Sequence, residues 1–133
     1  IVLHPGNVLV STTSDDDLRL VDWKMTGLGS GPQDLGQCIL SNMDTNERRQ
    51  CEEELIRNYY HELTNNCGVK DFTWEDCWKE YQVGGLERWL WFLVYFLGQE
   101  GPLLEWAQFF HNQIAAFLHD HKMDANDVIQ PRP

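Results

Sequence analysis

The run from Trp89 to Leu97 (Trp-Leu-Trp-Phe-Leu-Val-Tyr-Phe-Leu) constrains this chain more than any other feature. It carries no charge and leaves no polar face. A helix over Leu86 to about Leu97 that is apolar nearly all round has to be covered by other elements. A membrane span needs about 20 residues, roughly twice this length. The run therefore predicts a central buried helix, and the rest of the chain must supply the elements that cover it.

The chain downstream of Gln33 reads as helix. Asp34 to Met43 is a short one. Asp44-Thr-Asn-Glu47 pairs an N-cap residue with a carboxylate three positions on and opens a helix to about Asn66. Cys51, Leu55, Tyr59 and Leu63 recur every fourth position along it and form one apolar stripe. The neighbouring acids Glu52, Glu53 and Glu54 read as a solvated face. Gly68 suits a C-terminal cap. Thr73-Trp-Glu-Asp76 is a second capping box, and Gly84-Gly85 is a place where its helix would bend or break. Pro102 suits the first turn of a last helix reaching about His119.

Upstream the pattern changes. Asn7-Val-Leu-Val10 and Leu18-Arg-Leu-Val-Asp-Trp23 are short apolar runs separated by the polar stretch Ser11 to Asp17. They predict a small hairpin with a long loop. Thr26 to Pro32 holds three Gly and one Pro and reads as loop. Residues 1–123 form one domain on this reading, and 124–133 a loose, Pro-ended tail.

The chain has 133 residues, enough for a single core, and a formal charge of −11. That balance disfavours nucleic acid and anionic membrane surfaces as partners and would steer a cationic substrate inward. There is no basic start followed by an apolar run, so no signal peptide is read. Ile1 in place of Met fits a processed chain or a piece of a longer one. Cys38, Cys51, Cys67 and Cys77 contain no C-x-x-C, which speaks against a zinc ribbon; buried free thiols in a reducing, cytoplasmic setting are the expectation.

Two polar residues stand against the apolar strands: Asn7 opens the first, and Asp22 ends the second. A hairpin can bring these ends together. An amide oxygen and a carboxylate oxygen are hard ligands, and Mg²⁺ takes one or two protein oxygens beside substrate phosphates and water. The same residue types also serve as a turn Asn after Pro-Gly and a strand-end carboxylate bonded to loop amides.

Leu3-His4-Pro5-Gly6-Asn7-Val8-Leu9-Val10, then Leu20-Val21-Asp22-Trp23, then Gly29-x-Gly31-Pro32-x-Asp34-Leu35, resembles the core of the aminoglycoside phosphotransferase family. Choline kinases and ecdysteroid-kinase-like proteins of the same superfamily resemble it too. The resemblance is specific over residues 3–35. It implies ATP-dependent transfer of a phosphoryl group to a hydroxyl of a small molecule such as an amino sugar, a choline-type alcohol or a sterol-like alcohol. Asn7 and Asp22 match the two positions that hold Mg²⁺ against the nucleotide phosphates, where charge neutralisation supplies much of the catalysis. Asp34 matches a third Asp, read as orienting the loop. His4 matches a variable position.

The family's first motif is H-G-D-x-x-x-x-N. Its Asp, which accepts the substrate hydroxyl proton, falls on Val2, and its Gly falls on Ile1. Valine can neither accept that proton nor orient the hydroxyl. No Gly-rich loop, strand lysine or partner glutamate precedes residue 1, so the nucleotide-binding lobe of the same protein is expected to be the missing partner. No residue of this polypeptide is then catalytic, and the chain alone is expected to be inactive.

The resemblance thus predicts a mainly α fold with an N-terminal β-hairpin, the C-lobe of a protein-kinase-like architecture. Asp76, Glu80 and Glu87 are candidates, from charge alone, to meet a cationic substrate. Glycines 27, 29 and 31 are spaced G-x-G-x-G with no Lys-Ser/Thr after them, unlike a phosphate loop; room to turn beside the metal site is the preferred reason for them. His119 and His121 point to different faces of a helix. Trp89, Trp91 and Phe92 read as core packing before they read as a cage for a cation. The rival readings are a non-catalytic pseudokinase remnant and a plain helical binding module.

Overall fold

A computed structural model describes Leu3 and residues 5–14, 17–99 and 101–128. The chain is mostly helical, with one two-stranded antiparallel hairpin near its start. The hairpin pairs β1 (Val8–Val10) with β2 (Leu18–Leu20) in the register Val8↔Leu20, Leu9↔Arg19, Val10↔Leu18. The helices are α1 (Gly31–Asn42), α2 (Thr45–His61), α3 (Trp74–Leu97), α4 (Pro102–His121) and α5 (Ala125–Val128). No described helix is long and apolar enough to cross a membrane.

Local chemistry sets most of the helix ends. The Asp44 carboxylate accepts from the N–H groups of Asn46 and Glu47 at 2.8 and 3.0 Å. At α3 the capping box is reciprocal: the Asp76 N–H donates to Thr73 Oγ1 at 3.1 Å, and the Thr73 N–H donates to the Asp76 carboxylate at 3.3 Å. A π-helical turn, Glu62–Asn66, extends α2, and Gly68 follows at φ 70° as the expected cap. The first helix starts earlier than expected. Ser30 caps it, Pro32 occupies its first turn, and Asp34 lies inside that turn instead of opening it.

Gly84-Gly85 does not break α3, which runs unbroken from Trp74 to Leu97. These glycines serve a crossing. A Cβ at Gly36 of α1 would stand 2.7 Å from the Tyr81 carbonyl oxygen, and one at Gly85 would stand 3.0 Å from the Gly36 backbone. With no side chains between them, α1 and α3 meet backbone to backbone, and α1 packs mainly on α3.

The core joins Ile39, Leu40, Ile56, Tyr81, Leu86, Trp89, Phe110, Ile114 and Phe117. Trp89 stacks on Phe110 with ring centroids 4.5 Å apart, and its indole N–H donates to the Gln37 carbonyl at 3.0 Å. The apolar run is not buried all round. Trp89 is core, whereas Trp91 is 67% exposed and Val94, Tyr95 and Leu97 also face outward. Only one stripe of α3 finds partners, because α1 and α4 cover one side of it.

The buried face of α2 also departs from its apolar stripe. Leu55 is exposed, and the residues turned inward are Arg48, Glu52 and Ile56. Glu52 is therefore not solvated. Its carboxylate accepts two bonds from Arg48 Nη1 at 2.8 and 2.9 Å, one from the Tyr81 hydroxyl at 2.7 Å, and stands 3.3 Å from His121 Nε2. Arg48 reaches on to Asp120, which Arg49 also grips at 2.8 and 2.9 Å. A buried ion pair is tolerable when its remaining lone pairs and protons are satisfied, and here they are.

Of segment 124–133, residues 125–128 form a helical turn with Val128 against the core, and 129–133 lie outside the described residues.

Candidate functional site

The chain enters β1 through a 3-10 turn, Pro5–Asn7. Pairing then fixes the strand ends: the Val21 N–H donates to the Asn7 carbonyl at 2.9 Å, just beyond the Val8↔Leu20 pair. Asn7 and Val21 therefore face each other, and Asp22 is the next residue. The hairpin brings Asn7 and the Asp22 segment to one end, an arrangement the two apolar runs allowed.

Asp22 adopts φ 60°, ψ 57°, the left-handed region. Asp is one of the few non-glycine residues that visit it, because a short polar side chain can bond locally. Its carboxylate does not cap the 3-10 turn Trp23–Met25 that follows. The Trp23 indole N–H folds back to the Leu20 carbonyl at 2.9 Å and pins this turn to the end of β2. A strained backbone at a carboxylate beside a strand end is a frequent mark of function. Asn7 and Asp22 carry oxygen atoms of the hard type Mg²⁺ takes, and the pairing sets their backbones at one end of a short sheet. Val2 and His4 lie outside the described residues.

The segment after this end is tied to the helices. The Ser30 hydroxyl donates to the Glu80 carboxylate of α3 while accepting from the Gln33 N–H at 3.4 Å. A Cβ on Gly31 would overlap the Tyr59 hydroxyl, so a side chain there would have to push the end of Tyr59 aside. A Cβ on Gly27 or Gly29 would meet nothing within 4 Å. The pressure against a side chain thus comes from α2 packing at Gly31, not from a turn beside Asp22. Burial raises the Tyr59 hydroxyl above its usual pKa, and surrounding acidic groups, Glu80 and Asp34 among them, push the same way. Asp34 thus lies in the first turn of α1 within the electrostatic reach of α2.

Of the three acids considered for a cationic substrate, Asp76 is held in its capping box, where the Thr73 bonds lower its pKa. Glu80 is held by Ser30. The Glu87 side chain lies outside the described residues. Asp76 and Glu80 are each engaged at a helix start. The Arg48–Glu52–Tyr81–His121 cluster was not foreseen. Its only sequence signal is the Arg48, Glu52 spacing of four, which the run of three glutamates masks. His119 and His121 do diverge: the side chain of His119 is 87% exposed and that of His121 7%.

The family model DUF1679, described as "Uncharacterized oxidoreductase dhs-27", matches residues 3–97. No curated protein and no solved structure matches the chain.

Proposed function

The chain belongs to the DUF1679 family, and on that premise we propose that it is the metal-holding helical lobe of a small-molecule phosphotransferase of the aminoglycoside phosphotransferase and choline kinase type. The observation that supports this reading is the Val21–Asn7 backbone bond, which sets Asn7 and Asp22 at one end of the hairpin. When bound there, Mg²⁺ would neutralise charge on the nucleotide phosphates. Asn7 would supply an amide oxygen and Asp22 a carboxylate oxygen. Ser30 and Glu80 would hold the following segment against α3, and Asp34 would steady the first turn of α1. The substrate would be a hydroxyl-bearing small molecule, with ATP as the donor.

With Val2 at the base position, this polypeptide would not transfer the phosphoryl group by itself; the alternative is a non-catalytic pseudokinase remnant, in which magnesium-dependent nucleotide binding would be lost. The oxidoreductase in the family description is a statement about the family model. The hairpin here is antiparallel and leads into helices, unlike the parallel strand–helix–strand unit that binds a dinucleotide.

The test uses Mn²⁺ as a paramagnetic stand-in for Mg²⁺, since both favour carboxylate and carbonyl oxygens. Water-proton relaxation should rise when the chain is added to Mn²⁺ and ATP. Asp22→Asn tolerates the left-handed backbone and removes the charge, so it should abolish the rise while the circular dichroism spectrum stays unchanged. Asn7→Ala should weaken it. Equal relaxation in wild type and Asp22→Asn would sink the phosphotransferase reading and leave the helical binding module.

A further inference from the structure

The hydrogen bonds at its two ends fix which backbone groups of the hairpin point inward. The Val21 N–H donates to the Asn7 carbonyl at 2.9 Å and the Ser11 N–H to the Asp17 carbonyl at 3.0 Å, on either side of the register Val8↔Leu20, Leu9↔Arg19, Val10↔Leu18. Antiparallel pairs alternate between hydrogen-bonded and non-hydrogen-bonded, so Leu9 and Arg19 are the bonded pair between those two. The N–H and C=O groups of Val8 and Val10 on β1, and of Leu18 and Leu20 on β2, therefore point away from the hairpin, one set along each edge. Trp23 agrees with this assignment, since its indole reaches the outward carbonyl of Leu20.

The two edges differ. On β2 the Leu20 carbonyl is taken by Trp23, and the central residue is the charged Arg19. On β1 the outward groups of Val8 and Val10 make no hydrogen bond among the described residues, and the strand packs chiefly on β2. Val8-Leu9-Val10 carries no charge, and Leu9 and Val10 stand 55% and 63% exposed. A two-stranded hairpin is marginally stable alone, and an open apolar edge is a template for another strand. In a chain of net charge −11, two copies repel one another at long range, and an uncharged edge is where they can approach. Pairing β2 with β2 would set Arg19 directly against Arg19, which is unfavourable. Pairing β1 with β2 would leave a free edge at each end and run on into a fibre.

We propose that β1 is the docking edge for a second copy of this chain, pairing antiparallel with the partner's β1 about a twofold axis at Leu9. Val8 lies against the partner's Val10 and Val10 against the partner's Val8, each pair exchanging both of its N–H···O bonds. Leu9 faces the partner's Leu9 at a non-hydrogen-bonded position, where side chains come closest. The product is a four-stranded sheet with Val8, Val10, Leu18 and Leu20 of both copies along one face. The symmetry closes it, so neither β1 keeps a free edge.

The experiment is sedimentation velocity and disulfide trapping on the whole chain, with Cys67→Ser removing the exposed thiol. Dimer should form as concentration is raised. Leu9→Cys should give a covalent dimer under mild oxidation, because the Cα atoms of a non-hydrogen-bonded pair lie about 4.5 Å apart, within disulfide reach. Val10→Cys should not, since the two copies of that residue would stand beyond about 7 Å. Val10→Pro keeps the hairpin, whose bonds do not use the Val10 N–H, and removes a donor from the open edge. It should weaken the dimer about tenfold or more with the circular dichroism spectrum unchanged. Leu18→Pro, the matched change on the β2 edge, should leave the dimer as it was. A chain monomeric at every concentration would overturn the proposal and leave the edge to a strand of a different protein. A dimer that Val10→Pro leaves intact would also overturn it, as would equal loss from both proline variants, or trapping through Val10→Cys as efficient as through Leu9→Cys.

Discussion

The hydroxyl of Tyr81 on α3 donates to the Glu52 carboxylate on α2 at 2.7 Å, between two side chains that are almost wholly withdrawn from water. Arg48, 1% exposed, supplies the opposing charge from one turn earlier on α2. A hydrogen bond to a charged group contributes about 1.5–3 kcal/mol, and removing one member of a buried pair costs about 3–5 kcal/mol. Tyr81→Phe should lower stability by the first amount and Arg48→Met by the second, read from the urea midpoint at constant slope. Arg48→Met is the more severe because it leaves both Glu52 and Asp120 without their shared cation.

The same cluster sets a pH dependence. Burial pushes the Glu52 carboxyl up, but bonds from His121, Arg48 and Tyr81 outweigh it and hold the pKa below the ordinary value. Asp120 is held well below it, by Arg49 first and then Arg48, against the opposing effect of burial. Both folded-state values are depressed relative to the unfolded chain. Their stabilisation is therefore complete above the ordinary carboxylate range of about 4 and is lost as pH falls below it. Thermal midpoints should hold steady from pH 7 to about 5 and then drop. Much of that drop should be missing from the double variant Glu52→Gln with Asp120→Asn.

Replacing a helical Gly by Ala ordinarily gains about 1 kcal/mol. At Gly36 and Gly85 the sign should reverse. The new Cβ would stand 2.7 Å from the Tyr81 carbonyl oxygen in one case and 3.0 Å from Gly36 backbone in the other, and backbone cannot swing aside as a flexible side chain does. Each substitution should destabilise by about 1–3 kcal/mol. Gly27→Ala and Gly29→Ala, with open space around them, should fall within about 0.5 kcal/mol of wild type.

Thiol reactivity should separate the cysteines. Cys67 is exposed, whereas Cys77 is buried and its pKa is raised to about 11, by burial first and the nearby Glu80 charge second. At pH 8 the thiolate is the reactive form, so a disulfide reagent should modify Cys67 quickly and Cys77 only after unfolding. Cys38 and Cys51, half-buried, should react more slowly than Cys67, and modification of Cys77 in the folded protein, read by mass spectrometry of its peptide, would contradict the burial assigned to it.

Capping chemistry was legible because it is local. Asp44, Thr73 with Asp76, and Gly68 each act on backbone groups within a few residues, so their positions in the sequence are enough. The hairpin was legible for a similar reason, since two short apolar runs with a polar connection have one simple way to pair. That pairing brought Asn7 and the Asp22 segment to one end. Residues 3–35 carried the motifs on which the magnesium reading still rests.

What the sequence could not decide was which face of each helix would find a partner. Apolar periodicity put Leu55 inside and Glu52 outside, and the structure reverses both, because Arg48, Tyr81 and His121 come from three helices to satisfy one carboxylate. The run Trp89 to Leu97 looked buried throughout, yet α1 and α4 cover only one stripe of it. Gly84-Gly85 looked like a hinge and is a contact surface, a distinction that depends on Gly36 lying opposite. The sequence by itself determined the caps that open α2 and α3 and how the hairpin closes, because those outcomes depend on neighbours along the chain. Only the tertiary structure decided what is buried, since burial depends on residues up to 72 positions apart, as Arg48 and Asp120 are, meeting in space.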